Sequence, residues 1–223
     1  MKIAVISFPG SNCDRDMVFG LEQAGFEPEL VWHSATALDS FAGAVVPGGF
    51  SYGDYLRAGA LAKFSPVMAP LAEMAAQGLP VLGVCNGFQI LTEAGLLPGA
   101  LLPNIKMKFL CQPVFLRVEQ PGLGLEPGEV FELPIAHGEG CYYAAPEVLA
   151  GLEASGQIAL RYCSPAGELS DAWNPNGSLA AIAGVSNSAG NVLGMMPHPE
   201  RYAHPALGSA VGQRFLRGFL ERR

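Results

Sequence analysis

The segment 82–89 reads LGVCNGFQ and places Cys85 between an apolar run and a stretch with helical spacing. Residues 79–84 form a short apolar run, which predicts a buried strand, and residues 87–94 have the periodicity of a helix. Glycines flank the cysteine two residues away on either side. A nucleophile at a tight strand-to-helix turn needs small neighbours, so the segment predicts a nucleophile elbow.

The position of Cys85 at a helix start has chemical consequences. A helix that begins directly after Cys85 would favour its thiolate, because a helix N-terminus carries partial positive charge. The backbone N–H of Asn86 would point towards an oxyanion formed on a substrate carbonyl. The pattern Gly-x-Cys-x-Gly is weak by itself, and a buried structural cysteine at a strand end explains it equally well.

Strand-like and helix-like segments alternate on both sides of this turn, with 28 Gly and 18 Pro as punctuation. Such alternation indicates parallel βαβ units in an open sheet, whose ligand sites lie beyond the carboxyl ends of the strands. We therefore predict an α/β fold with an open, mostly parallel sheet flanked by helices. The predicted strands of the first half are residues 2–8, 28–32, 42–46 and 79–84, and the predicted helices are residues 11–25, 66–77 and 87–94.

The second half of the chain is less regular and is expected to add antiparallel strands to the same sheet. No linker between domains is visible in the composition, so we predict a single domain over residues 1–223. The predicted strands of this half are residues 114–118, 158–162, 180–185 and 192–196, and the predicted turns are residues 171–177 and 186–191.

The composition excludes several classes of protein. The chain is 50% hydrophobic and 15% charged, with a net charge of −7, which excludes a disordered protein. The acidic balance argues against a nucleic-acid partner, because phosphate binding needs a basic face. No apolar run approaches the ~18 residues that suggest a membrane span. The apolar segment at residues 1–10 is too short for a signal peptide and is broken by Pro9-Gly10. We therefore expect a cytoplasmic protein with no membrane association.

The cysteines do not form a disulfide or metal pattern. Five are present, and no Cys-x-x-Cys pair or ligand-spaced histidine accompanies them. We therefore predict neither a disulfide framework nor a metal site. The four cysteines other than Cys85 lack an elbow and are expected to be structural: Cys13, Cys111, Cys141 and Cys163.

A second segment, residues 195–200, reads MMPHPE and follows the predicted strand 192–196. Residues two apart in an extended chain point to the same side, so Glu200 is expected to reach the ring of His198 and to stabilise its cationic form. A cysteine and a histidine with a third, orienting group form the arrangement for thiol catalysis. Taken alone, a surface loop with a chance His-Pro-Glu is the plainer interpretation.

A third segment, residues 46–51, reads VPGGFS and also follows a predicted strand. Paired glycines allow backbone N–H groups to face a ligand closely, which makes Gly48 a candidate for substrate binding. The second oxyanion donor would come from Gly49 or Phe50. An ordinary tight turn is the alternative. The sequence has no phosphate-binding loop, so no nucleotide site is predicted.

In order and spacing, these three segments resemble class I glutamine amidotransferases over nearly the whole chain. The resemblance implies a flavodoxin-like fold and a Cys-His-Glu triad that hydrolyses the side-chain amide of L-glutamine. It implies that Cys85 is the nucleophile, His198 the general base and acid, and Glu200 its orienting group. It also implies that Gln89, one turn into the helix, helps to hold the glutamine.

Further motifs resemble one group within that family, the glutaminase subunits of a purine-biosynthesis complex. They are FPGSNCD at residues 8–14, GFSYGDYLRAG at 49–59 and PIAHGEG at 134–140. The resemblance implies that ammonia passes to a large synthetase subunit, in a complex that also has a small partner subunit. It implies no cofactor on this chain, with ATP and Mg on the synthetase. It also favours His137, in a predicted loop at residues 136–140, as a residue of the glutamine pocket, although a histidine without function suits such a loop as well.

Three other functions remain open at this point. The first is a stand-alone thiol hydrolase or peptidase of similar fold, but such hydrolases often place a histidine directly after the nucleophile, where this chain has Asn86. The second is a non-catalytic regulatory subunit, against which the intact Cys85, His198 and Glu200 argue. The third is the glutaminase subunit of another amidotransferase.

Overall fold

A mixed sheet of nine strands forms the centre of the computed structural model, which describes residues 1–222. Their order across the sheet is β2-β1-β3-β4-β11-β10-β9-β6-β7, and β5 pairs with β8 in a separate ribbon. The strands are β1 (Lys2–Ser7), β2 (Glu27–Trp32), β3 (Ala44–Val46), β4 (Val81–Val84), β5 (Ala100–Leu102), β6 (Leu110–Val118), β7 (Val130–His137), β8 (Cys141–Tyr143), β9 (Ile158–Cys163), β10 (Ile182–Ser186) and β11 (Val192–Met195). The α-helices are α1 (Asp14–Gln23), α2 (Met68–Ala76), α3 (Asn86–Glu93), α4 (Pro146–Ala154) and α5 (Val211–Leu220).

The parallel half of the sheet confirms the predicted βαβ pattern. Strands β2, β1, β3, β4 and β11 pair in parallel across this half. Every residue of β3, β4 and β11 is buried, as expected for short apolar strands with helices over both faces. Because β3, β4 and β11 are adjacent and parallel, their carboxyl ends meet at one edge of the sheet. That edge carries the three segments that the sequence singles out.

The other half of the sheet is antiparallel, as predicted, but it contains a strand that the sequence analysis missed. Strands β10, β9, β6 and β7 pair antiparallel in turn. The missed strand is β7, which lies at the edge of the sheet. Its Pro134 interrupts the strand pattern in the sequence, but an edge strand tolerates proline because one side of its backbone has no strand to pair with.

The placement of His137 in a loop was therefore wrong. His137 is the last residue of β7, pairs in register with Leu110 of β6, and is buried. Strands β5 and β8 were also missed, because three residues are too few to show a periodicity. Helix α4 was missed as well; it begins at Pro146, a residue that suits the first turn of a helix.

Apolar side chains from both halves of the sheet pack into a shared hydrophobic core. The prediction of a single domain over residues 1–223 stays a prediction, and its last residue, Arg223, lies outside the described residues.

Candidate active site

Cys85 lies at the junction of β4 and α3 in a strained backbone conformation. Its φ is 53° and its ψ −106°, a region that residues with a side chain rarely adopt and that costs about 1–3 kcal/mol. The surrounding backbone holds it there, since its N–H donates to the Met195 carbonyl at 2.8 Å and its carbonyl accepts from Gln89 at 3.2 Å. The side chain is only 5% exposed. The structure thus shows the strand-to-helix turn that the sequence predicts.

The glycines on either side of the cysteine are required by close packing. A Cβ on Gly83 would lie 2.8 Å from the carbonyl oxygen of Gly87. A Cβ on Gly87 would collide with the carbonyl oxygen of Val46, at the end of β3. The helix therefore approaches the strands too closely for any side chain at these positions.

His198 follows β11 and lies beside Glu200. Its backbone N–H donates to the Pro134 carbonyl at 2.9 Å, and its Nδ1 lies 2.5 Å from Oε1 of Glu200. Both residues are 1% exposed. Burial alone would lower the pKa of His198, but the Glu200 carboxylate and the Cys85 sulfur raise that pKa from 6.5 to about 10. The imidazole is therefore cationic at neutral pH, and such a charge stabilises a neighbouring thiolate.

Gly48 packs against both the cysteine and the histidine. A Cβ at this position would lie 2.8 Å from Cε1 of His198 and 3.4 Å from Cβ of Cys85. The absence of a side chain therefore lets the loop after β3 pass directly over both groups. The Cys85 sulfur lies 3.6 Å from the Ala136 carbonyl oxygen, and no group of residues 1–222 forms an ordinary hydrogen bond with Nε2 of His198. Catalytic hydrogen bonds are often long in a free enzyme and tighten when substrate binds.

Two backbone N–H groups, those of Asn86 and Gly49, are candidate oxyanion donors. Asn86 is the first residue of α3, and Gly49 follows Gly48 at a φ of 147°. Neither N–H donates to an acceptor within residues 1–222. The N–H of Phe50, the other predicted candidate, donates to the Gly10 carbonyl at 3.0 Å. The geometry therefore favours Gly49 over Phe50 as the second donor.

The side chains of Asn86 and Gln89 connect α3 to two loops. Oδ1 of Asn86 accepts from the Ser51 N–H at 3.1 Å, and its Nδ2 donates to Oε1 of Gln89 at 2.9 Å. Nε2 of Gln89 in turn donates to the Glu139 carbonyl at 2.6 Å. Both amide atoms of Gln89 are thus engaged within the protein, where they hold the turn after β7 against α3. Its role in holding glutamine stays a prediction.

Asp54 lies on the same loop as Ser51. Its Oδ1 is 3.5 Å from Nδ2 of Asn86. Burial, together with the charge of Glu139, raises the pKa of the Asp54 carboxyl from 3.8 to about 6. The sequence analysis gave Asp54 no role, because its motif mixes aromatic and charged residues without a distinctive spacing.

His137 is only 3% exposed and joins the site from the end of β7. Its Nδ1 lies 3.0 Å from Oδ1 of Asn104, a residue that the sequence analysis did not identify. Burial and the charge of His198 lower the pKa of His137 from 6.5 to about 4. The structure therefore places a neutral imidazole close to the cationic one.

Cys13 also lies in the site, although the sequence analysis treated it as structural. Its sulfur lies within 4.8 Å of a nitrogen of His198 and an oxygen of Glu200, an arrangement of atom types that could hold a metal ion. Nη2 of Arg201 donates to the same sulfur at 3.6 Å. Burial and the Glu200 charge raise the pKa of the Cys13 thiol to about 12, so it remains protonated. A protonated thiol and a carboxylate that is already bonded to His198 fit a catalytic triad better than a metal site. The absence of a metal stays a prediction.

None of the helices within residues 1–222 is both long and apolar enough to cross a membrane.

A cysteine, a histidine and a carboxylate at one edge of the parallel half of the sheet form the arrangement that thiol-dependent hydrolysis requires. Comparison with known protein families agrees. The sequence model of the family described as CobB/CobQ-like glutamine amidotransferase domain matches residues 1–217.

Individual relatives sharpen this assignment. Phosphoribosylformylglycinamidine synthase subunit PurQ of Gloeobacter violaceus is 56% identical over 221 residues, which cover 97% of this chain and 95% of the relative. The subunit of the same name from a strain of Thermus thermophilus is 55% identical, with 99% of this chain and 98% of the relative covered. A chain in the structure of PurLQS from Thermotoga maritima matches with a TM-score of 0.86 at 42% identity, covering 99% of this chain and 97% of that chain. The chain therefore belongs to the glutamine amidotransferase family, in its PurQ group.

Proposed function

We propose that this chain is the glutaminase subunit of phosphoribosylformylglycinamidine synthase. It hydrolyses L-glutamine to glutamate and ammonia, and the ammonia serves to convert formylglycinamide ribonucleotide to formylglycinamidine ribonucleotide in purine biosynthesis. The observation that carries the proposal is the strained turn at Cys85, which lies against the buried His198–Glu200 pair. The PurQ relatives supply the identity of the complex.

The first half-reaction forms a thioester. The Cys85 thiolate attacks the amide carbon of glutamine, and the carbonyl oxygen becomes an oxyanion held by the N–H groups of Asn86 and Gly49. One such donor contributes roughly 3–4 kcal/mol to lowering the barrier. His198, which is cationic in the resting site, gives its proton to the departing nitrogen. The C–N bond breaks, ammonia leaves, and the glutamyl group remains on sulfur.

The second half-reaction releases glutamate. His198 is now neutral and takes a proton from water as the water oxygen attacks the thioester carbon. The same two N–H groups hold the second oxyanion. The C–S bond breaks, which restores the thiolate of Cys85 and the imidazolium of His198. Glu200 keeps the imidazole in one tautomer and orientation through both steps.

The remaining predicted residues shape the pocket. Gly48 lets its loop pack directly on the cysteine and the histidine, because a side chain there would collide with the His198 ring, and its backbone is proposed to contact the substrate amide. Gln89 supports the pocket wall through the Glu139 carbonyl and is proposed to contact glutamine. His137 is proposed to face the substrate from the end of β7.

The chain works with partners. It associates with the PurL synthetase and the small PurS subunit, as the match to a PurLQS structure supports. We propose that ATP and Mg act on the synthetase and that this chain needs no cofactor. The partners are needed because ammonia released outside such a complex would be protonated and lost. We also propose that the complex acts in the cytoplasm.

The proposal is tested with Cys85→Ala in the chain assembled with its synthetase partners. We expect glutamine-dependent product formation to fall by roughly 10³-fold or more, because the nucleophile is gone. Product formation from added ammonium salt should be unchanged. Cys111→Ala is the matched control, because that cysteine is exposed on β6, and it should retain both activities. A Cys85→Ala complex that still uses glutamine would contradict the proposal.

A further inference from the structure

One nitrogen of the His137 ring has no role inside the protein. His137 is 3% exposed, and no group of residues 1–222 forms a hydrogen bond with its Nε2. A buried polar atom without a partner is costly, by about 1–3 kcal/mol, and most such atoms are bonded. In an enzyme pocket, a buried and unpaired nitrogen therefore points to a ligand that supplies the missing partner.

Asn104 determines which kind of partner Nε2 requires. Nδ2 of Asn104 donates to the carbonyls of Lys108 and His137, both at 2.8 Å. Its Oδ1 accepts from the Gly140 N–H at 3.0 Å and lies 3.0 Å from Nδ1 of His137. The two carbonyls on one side and the Gly140 N–H on the other leave one orientation for the amide. An amide oxygen cannot donate, so Nδ1 of His137 must carry the proton.

The proton on Nδ1 makes Nε2 an acceptor as long as the ring stays neutral. Burial and the charge of His198 lower the pKa of His137 to about 4, so the ring carries no charge at neutral pH. Because the ring is uncharged at neutral pH, it has no acidic proton to give to ammonia. The missing partner of Nε2 must therefore be a hydrogen-bond donor. His137 does not protonate this partner.

The end of β7 lies alongside the reacting atoms. The Ala136 carbonyl oxygen is 3.6 Å from the Cys85 sulfur, and the Pro134 carbonyl accepts from the His198 N–H at 2.9 Å. The charge of His198 contributes to the lowered pKa of His137. A Cβ on Gly140 would collide with the His137 ring, so the turn packs on the imidazole and holds it in place.

We propose that Nε2 of His137 accepts a hydrogen bond from the amide nitrogen of glutamine and then from the ammonia that this nitrogen becomes. This inference rests on the proposed function. The amide –NH₂ is the donor that reacts next to these groups, and it gains its third hydrogen from His198 as the C–N bond breaks. His137 takes no proton in this step. It therefore orients the leaving group and holds it as NH₃, the form that a synthetase can use.

Two substitutions separate the acceptor from the rest of the ring. His137→Asn keeps a donor near the position of Nδ1, towards Asn104, and loses the acceptor. His137→Gln places an amide oxygen near the position of Nε2. In the assembled complex, we expect His137→Asn to lower kcat for glutamine about tenfold, roughly the effect of one hydrogen bond, and His137→Gln to lower it less.

Glutamate γ-methyl ester is the control substrate, because its leaving oxygen has no N–H to donate. Both variants should hydrolyse this ester within about twofold of the wild-type rate, because the ester offers no N–H that could donate to Nε2 of His137 and no hydrogen bond is lost. Equal losses on ester and amide, or no loss on either, would overturn the inference. A wild-type complex that hydrolyses neither substrate would instead overturn the proposed function.

A spectroscopic measurement tests the tautomer in the unmodified chain. With ¹⁵N-labelled histidine, the His137 signals at neutral pH should show a protonated Nδ1 and an unprotonated Nε2. A protonated Nε2, or a charged ring, would overturn the inference whether or not the variants fold.

Discussion

The loop after β11 and the end of β7 each bring one buried histidine into the site, and the two differ in charge. His198 is 1% exposed and His137 is 3% exposed, so burial alone would treat them alike. The partner of His198 is a carboxylate, and its pKa rises to about 10. The partner of His137 is an amide, and its pKa falls to about 4. The residue opposite Nδ1 therefore decides whether each imidazole acts as an acid or as an acceptor.

Glu200→Gln should make the His198 environment resemble that of His137, and it is expected to have the largest effect. The amide removes the negative charge that holds the imidazole cationic, and it can select the wrong tautomer. We expect kcat for glutamine to fall by roughly 10²–10⁴-fold, with ammonia-dependent synthesis unchanged. Steady-state assays of the complex measure both. Glu129→Gln, at a surface pair with Arg214, is the matched control and should keep full activity.

An unchanged kcat in Glu200→Gln would contradict this account of the first histidine. It would mean that the thiolate–imidazolium pair does not depend on the carboxylate.

Asn104→Asp is the converse substitution and should make the His137 environment resemble that of His198. A carboxylate beside Nδ1 raises the pKa of His137 and charges the ring, so Nε2 becomes a donor. We expect kcat for glutamine to fall about tenfold, as for His137→Asn, because the same hydrogen bond is lost. The ¹⁵N signals of His137 should show protons on both nitrogens. A ring that stays neutral in this variant would contradict the claim that the residue opposite Nδ1 sets the charge of each histidine.

The pH dependence of stability should also show that the His137 ring is held neutral in the folded chain. Its folded pKa of about 4 lies below the ordinary 6.5, so between these values the unfolded chain binds the proton more readily. Its contribution to stability is therefore present above pH 6.5 and is lost as the pH falls towards 4. The loss is expected to approach about 3 kcal/mol.

Urea unfolding from pH 4 to 8 measures this contribution when wild type and His137→Gln are compared. The wild type should lose more stability on acidification than the variant does. Parallel curves for the two proteins would show that the His137 ring is not held neutral.

The sequence predicted the residues that the backbone constrains most tightly. Cys85 could be found because its turn leaves no room for side chains at Gly83 and Gly87, which produces a visible spacing. His198 and Glu200 could be found because the two residues are separated by one position and His198 lies between two prolines. In both cases the physical constraint acts within a few residues of the chain.

The residues that the sequence did not reveal depend on contacts between distant segments. Asn104 orients His137 from 33 residues away, and neither residue alone signals the pair. Cys13 comes to His198 and Glu200 only through the packing of α1 against the loop after β11. The strand β7 was hidden by Pro134, which an edge position tolerates. Such contacts become visible only once the sheet brings the segments together.

The central claim is that Cys85 is the nucleophile of a glutamine pocket, and one labelling measurement tests it most directly. The assembled complex is exposed to a diazoketone analogue of glutamine, and this chain is then analysed by intact mass and peptide mapping. The account predicts one adduct, on Cys85, that excess glutamine prevents and that Cys85→Ala does not form. An adduct on Cys13 or another residue, or labelling that glutamine does not block, would contradict the account.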